Sequence, residues 1–360
     1  MTLETPDNTP RKVVILAPER VLASAIVGPY DVLSSAGVVW PLLRHGVERK
    51  PIFEVSTVAL QAGELDTYWG LKTRADHALE DIQQADYVIL PTFIAQWKLG
   101  PDWGFGVTGF EEMTKWVQRL YDGGATICSI SSGGILLAEM GLLDVHEVTT
   151  HWTMAESLSQ LYPQIRFSFD RAVYRVGEDE RIWVAGGGTC WQDLVIQIIS
   201  QEAGPLVAAQ TARAYTIFGQ RSGQLPFSEW QPKIDHGDSA ITRAQMWIDE
   251  QYAAQDVLPG AIEASTLADR TFKRRFKAAT GLPPTHYLQR VRVEEARMLL
   301  ETTNMNVEAV AVHVGYFDTA FFRNLFKKFV GLKPSEYRER FSLFSERSQE
   351  AEDELGRAVA

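Results

Sequence analysis

The sequence of 360 residues predicts two domains: an α/β domain on an open, mainly parallel sheet, then an all-α domain with two helix-turn-helix units. Three observations predict this. Continuous apolar runs alternate with amphipathic stretches over residues 12–216, the pattern of strands covered on both faces. A stretch with Gly219, Gly223, Pro226, Pro232 and Gly237 interrupts that alternation. Beyond it the chain repeats itself at a fixed offset.

Val13-Val14-Ile15-Leu16-Ala17 is the first continuous apolar run and reads as a buried parallel strand. Residues 26–36 read as the following helix, ended at Gly37. Strands are expected at 53–58 and at 86–90, the second halted by Pro91. Residues 110–121 form an amphipathic pattern that ends at Asp122-Gly123-Gly124. A strand over 125–130 and a helix over 133–140, closed by Gly141, come next. Strands at 165–168, 173–176 and 182–185 precede a long helix over 191–202. Such alternation places helices on both faces of one sheet.

Within this domain the informative turn is Ser129-Ile130-Ser131-Ser132-Gly133-Gly134. It joins a buried strand to a helix, which puts Ser131 on a sharp elbow at the sheet's carboxyl edge, where open α/β sheets bind ligands. The amides of Ser132 and Gly133 open a helix and can donate to a carboxylate or carbonyl oxygen. The glycines admit a ligand closely. The turn is similar to a G-x-S-x-G nucleophile elbow, with Ser129 in place of the first glycine. Downstream, Thr149-Thr150-His151-Trp152 follows a short strand, and Gly186-Gly187-Gly188-Thr189 precedes the last long helix. Ser131, Ser132, Gly133, His151 and Trp152 are the candidate ligand-binding residues. Trp152 and Trp191 can box a quaternary ammonium or simply pack. Cys128 reads as an inert core residue, and Cys190 as a thiol that packs or is partly exposed. Two cysteines point to a reducing, cytoplasmic compartment. No stretch is long enough to cross a bilayer, no cluster has metal-ligand spacing, and no glycine loop precedes a Lys-Ser/Thr pair. Neither membrane, metal nor nucleotide cofactor is therefore expected.

In the second domain Phe272, Phe276, Gly281, Pro284, Tyr287 and Arg290 recur as Phe322, Phe326, Gly331, Pro334, Tyr337 and Arg340, each pair fifty residues apart. With no third copy, this is a duplicated supersecondary unit and not a solenoid. Val307, Val310, Ala311 and Val314 form an apolar stripe, Gly315 supplies a turn, and Asp318 caps the next helix. Gly331 then ends that helix and Pro334 prevents its continuation. The first copy reads alike, with helices near 257–264 and 268–279, and a connecting helix spans 287–301. Helix, tight turn, helix is the pattern whose second helix enters a DNA major groove. Residues 265–340 hold fourteen Lys and Arg against eight Asp and Glu, although the whole chain carries −11. A basic segment on an acidic chain is a footprint for phosphate.

Residues 241–341 resemble the DNA-binding domain of the AraC/XylS family of bacterial transcription regulators. The resemblance rests on Ala296-Arg297-Met298-Leu299-Leu300, Val314-Gly315-Tyr316 and Gly331-Leu332-Lys333-Pro334-Ser335-Glu336-Tyr337-Arg338. It implies two recognition helices on one face of double-stranded DNA, in successive major-groove segments about 34 Å apart. It sets Arg270, Lys273 and Arg274 against bases in the first, and Thr319, Ala320 and Arg323 in the second. Asn324 departs from the arginine common there and matches Arg274 of the first copy; either a contact is missing or Asn324 reads adenine.

Residues 11–200 are similar to the class I glutamine amidotransferase-like fold of PfpI type. The elbow, residues 137–144, Thr149-Thr150-His151-Trp152 and the Gly186 run carry that likeness. Specifically, it resembles the version fused to AraC-type domains in bacterial regulators of amine, carnitine or betaine catabolism. The likeness implies a flavodoxin-like sheet, a small effector of that chemistry, a homodimer, and RNA polymerase as a partner in activation. Enzymes of the superfamily carry an elbow cysteine, a histidine and an acidic residue. Here Ser131 holds the elbow and His151 matches the histidine. The acidic position falls near Ser24-Ala25, with Glu19 out of register. A serine needs a base to become nucleophilic, whereas a thiol is already partly ionised. The expectation is a ligand-responsive transcription activator that binds without turnover. Two alternatives are a serine-dependent amidohydrolase or peptidase using Ser131 and His151, and an architectural DNA-binding protein whose first domain only dimerises. The expected limits are a frayed tail at 1–10, a sensing domain at 11–217, a linker at 218–238, a DNA-binding domain at 239–341 and an acidic tail at 342–360.

Overall fold

The computed structural model describes residues 9–94, 106–219 and 223–342. Most of both expected tails lies outside these residues. The chain divides into two compact units, Met1–Gln224 and Leu225–Ala360.

The first unit opens with β1 (Arg11–Leu16), α1 (Ser24–Ser35), α2 (Val39–His45), β2 (Phe53–Ala59), β3 (Gly63–Asp66), β4 (Lys72–Ala75), β5 (His77–Ala78) and β6 (Tyr87–Leu90). It continues with α3 (Phe110–Asp122), β7 (Thr126–Ile130), α4 (Gly134–Glu139), β8 (Glu147–Val148), α5 (Ala155–Leu161), β9 (Arg166–Phe167), β10 (Val173–Val176), β11 (Ile182–Ala185) and α6 (Trp191–Ala214). Seven strands form the main sheet in the order β10-β11-β7-β6-β1-β2-β5. Every neighbouring pair is parallel except β10 with β11. From β1 the chain goes to β2 on one side and returns to β6 on the other, so the switch point lies between β1 and β6, one strand from the elbow that follows β7.

Both faces of the sheet are covered. Val14, Leu16, Val88 and Leu90 pack with Met113 and Trp116 of α3 and Leu136 of α4. Val13, Ile15 and Ile89 turn the other way, onto Ile26 and Leu33 of α1 and Leu194 and Ile198 of α6. Alternate residues of β1 thus serve opposite cores, which is why its sequence is apolar throughout.

Three expectations need correction. The strand at 165–168 shrinks to β9 and pairs with β8 in a separate two-stranded ribbon. The last helix runs to Ala214, past the expected end at 202, because the chain bends at Gly204 and resumes helix at Pro205. That dipeptide is a stop signal, but proline also suits the first turn of a new helix. The stretch read as linker is packed in part: Gln224 is buried in the first unit, Pro226 is buried in the second, and Trp230 meets Tyr287 edge-on at 5.0 Å. Helix α2 and the β3–β4 hairpin had no expected counterpart.

The second unit contains α7 (Ser239–Gln251), α8 (Val257–Ser265), α9 (Asp269–Thr280), α10 (Pro284–Thr302), α11 (Val307–His313), α12 (Thr319–Val330) and α13 (Pro334–Phe341). The duplication survives in three dimensions. Helices α9 and α12 begin and end fifty residues apart, as do the proline starts of α10 and α13. Phe272, Phe276 and Tyr287 fill one core; Phe322, Phe326 and Tyr337 fill another. Phe276–Tyr287 and Phe326–Tyr337 even share edge-on geometry, at 5.2 and 5.5 Å. The connecting helix α10 joins the two, giving Val291 to the first core and Val293, Ala296 and Leu300 to the second.

Candidate functional site

At the end of β7 the backbone turns sharply, and Ser131 adopts a left-handed φ of 54°. Left-handed backbone is uncommon for a residue with a side chain and marks a constrained position. The Ser131 residue is only 2% exposed. Its neighbours are occupied structurally. The Ser132 hydroxyl donates to the Phe93 carbonyl at 2.6 Å and accepts the Phe93 N–H at 2.9 Å, tying the elbow to the loop after β6. A side chain at Gly133 would strike the Leu90 carbonyl, so this glycine lets helix and strand approach each other. Ser132 and Gly133, whose amides are the candidate donors to a ligand, thus also hold the elbow in place. Ser131 itself lines a cavity of about 10 Å³ with Thr149, Thr150 and Phe167, room for about one water.

Beyond β8, Thr149 and Thr150 are buried and His151 is half-buried. The imidazole Nδ1 lies 2.8 Å from the Thr153 hydroxyl and accepts the Thr153 N–H at 3.3 Å. Burial lowers its pKa and favours the neutral ring. Trp152 stacks on it at 5.8 Å. Gly187 lies so close to the imidazole that a Cβ there would overlap it. His151 and the glycine run, separate in sequence, are therefore brought together. Gln224 completes this arrangement. Its amide nitrogen donates to Thr149 Oγ1 at 3.1 Å and to the Thr150 carbonyl at 2.5 Å, and its oxygen accepts the Gly187 N–H at 3.1 Å. Thr150 in turn donates to the Ser131 carbonyl at 3.5 Å, a long contact. Nothing in the local sequence pattern marks Gln224, which was assigned to the linker.

The remaining candidates separate cleanly. Trp191 packs its ring on Gly28 of α1 and is a packing residue, not a box wall. Cys128 is fully buried, and burial drives its thiol pKa up. Cys190 is buried too, its pKa pushed up to about 12 by desolvation and then Asp193, so the partly exposed thiol is corrected. Glu19 accepts the Thr108 hydroxyl at 2.5 Å. Among the described residues no group of three or more His, Cys, Asp or Glu is placed to hold a metal.

In the second unit Arg270, Lys273 and Arg274 are exposed on α9, and Ala320, Arg323 and Asn324 are exposed on α12. Thr319, at the start of α12, is half-buried. Lys273 pairs with Asp269 at 2.9 Å one turn earlier, and Arg323 pairs with Glu308 of α11. Not every arginine faces outward. Arg292 is buried, donating to the Tyr252, Ala254 and Gly315 carbonyls at 2.7, 2.9 and 3.1 Å. Arg297 is buried against the carbonyls of Pro226 and Ser228 and the Tyr337 hydroxyl. Arg275 grips Asp238, the N-cap of α7, through two bonds of 2.9 and 2.7 Å. The formal charge of this unit therefore overstates its cationic surface.

Residues 11–189 match the DJ-1/PfpI family, and residues 263–340 match a helix-turn-helix domain. The chain belongs to the AraC-type transcription regulators with an amino-terminal DJ-1/PfpI domain. Similar regulators extend over most of its length. The HTH-type transcriptional regulator CdhR of Pseudomonas aeruginosa is 23% identical, over 86% of this chain and 88% of its own. GbdR of the same species is 22% identical over 86% and 82%. GlxA of Rhizobium meliloti is 23% identical over 88% and 94%. In this AraC-type regulator, then, the elbow belongs to the DJ-1/PfpI half and the paired helices to the DNA-binding half. No single helix among the described residues is long and apolar enough to cross a membrane.

Proposed function

We propose that this regulator binds its operator through α9 and α12, and that a small metabolite at the elbow sets how two protomers present those helices. The reading rests on one observation: two helices in equivalent places of a duplicated unit both expose basic side chains. RNA polymerase is the expected partner, and activation the expected output. The effector class is an amine or a carnitine- or betaine-like compound. It binds around Ser131, His151 and Trp152, where the space beside Ser131 is too small for such a molecule unless Thr149, Thr150 and Gln224 yield. A ligand that needs this rearrangement favours the opened arrangement, and differential affinity of that kind is what a switch requires.

Binding without turnover is part of the proposal. It is supported by the serine that stands at the elbow position and by the engagement of His151 Nδ1 with Thr153. An unassisted serine is a poor nucleophile.

Thermal unfolding of the full chain with choline, carnitine, betaine and simple amines tests the sensing reading. At one hundred times Kd a ligand stabilises by about 2.7 kcal/mol. Ser131→Ala and His151→Ala should lose that response while keeping unliganded DNA affinity. If both variants respond normally, the pocket lies elsewhere. Covalent labelling by a serine-directed probe, lost in Ser131→Ala, would instead support the hydrolase.

A further inference from the structure

We infer that the two recognition helices read different bases: guanine under α9, and A·T pairs under α12. This rests on the DNA-binding reading above and goes beyond it. The fifty-residue offset aligns the two helices position by position, because both elements share the same limits. Arg270 then corresponds to Ala320, Thr271 to Phe321, Lys273 to Arg323 and Arg274 to Asn324. The exposed face of α9 offers two guanidinium forks and an ammonium, the ammonium paired with Asp269. Forked donors match the O6 and N7 acceptors of guanine. The same face of α12 offers a methyl group, a phenyl ring, a carboxamide and one arginine. That arginine is paired with Glu308, where the first copy has Leu258.

The apolar groups on α12 are exposed and held. Phe321 is 47% exposed, and Phe317 in the preceding turn is 69% exposed. The Phe321 ring lies 5.7 Å from Tyr316, which is itself buried under the Arg292 guanidinium. In the major groove the partner for such groups is the thymine methyl, and the carboxamide of Asn324 matches adenine N6 and N7. One helix therefore carries the chemistry for G·C pairs and the other the chemistry for A·T pairs.

Selection of binding sites by the full chain from random duplexes tests this. Enriched sites should hold two segments one helical turn apart, one with a fixed guanine and the other with A·T pairs. Arg274→Asn should weaken the guanine preference in the first segment alone and lower affinity for that duplex by roughly tenfold or more. Asn324→Arg should bring guanine into the second segment. Replacing thymine by deoxyuracil in the second segment removes only the methyl. It should weaken binding several-fold, and should have no effect on Phe321→Ala, an exposed substitution that leaves the core intact. Guanine at equivalent positions in both segments, or indifference of the unmodified chain to deoxyuracil, would overturn the inference and leave DNA binding standing. Enrichment of no sequence would overturn both.

Discussion

The elbow shows how one residue's position depends on neighbours that sequence does not reveal. Ser131 was legible because a buried strand running into Ser-Ser-Gly-Gly can only turn sharply. The roles of Ser132 and Gly133 were not, since the groups that occupy them belong to Phe93 and Leu90 on the neighbouring strand and its loop. Gln224 was invisible for a stronger reason: its partners Gly187 and Thr149 lie 37 and 75 positions away. Gln224→Ala would leave the buried Gly187 N–H without its acceptor. It should lower the stability of the first unit by about 1–3 kcal/mol in urea unfolding. An unchanged midpoint would show the tie to be dispensable. His151 gives a pH dependence with a definite sign. Its pKa is lowered by burial, so the unfolded chain binds the proton more readily than the folded one. Its contribution is present above the ordinary histidine pKa and is lost as pH falls through the folded value. His151→Gln should flatten the acid limb of a stability–pH curve between roughly pH 7 and 5.

Elements were the most legible scale, because period and caps are local. The stripe Val307, Val310, Ala311 and Val314 became α11 and its end, and Asp318 caps α12 by accepting the Phe321 N–H at 3.0 Å. Long-range packing accounts for what was missed: α6 resumes beyond Gly204, and β9 leaves the main sheet for β8. Helices α9 and α12 differ in their caps, since Ala268 gives α9 no side-chain cap. Asp318→Ala should therefore cost about 1 kcal/mol, whereas Ala268→Asp should stabilise the first copy by roughly 0.5–1 kcal/mol. Calorimetric unfolding of the full chain reads both; unchanged stability in both variants would refute the capping assignment. The cores set a larger scale. Phe322→Ala empties a fully buried position and should cost about 3–5 kcal/mol.

At the scale of the whole molecule, the division of labour follows from charge and duplication. An acidic sheet domain precedes a helical domain in which two equivalent helices both expose cations. The charge count alone was an incomplete guide, because Arg292 and Arg297 spend their donors on buried carbonyls. What sequence could show was that the unit occurs twice; what it could not show was which arginines the fold consumes. The connecting helix α10 contributes to both cores, so it fixes the spacing of α9 and α12. Two helices held at one spacing must meet DNA at one spacing. The most direct measurement is the affinity of the full chain for a selected duplex before and after about five base pairs are inserted between its two contacted segments. That is about half a helical turn and moves the second segment to the opposite face. Affinity should fall to that of a duplex with only one segment, and an undiminished affinity would contradict reading by two helices on one face.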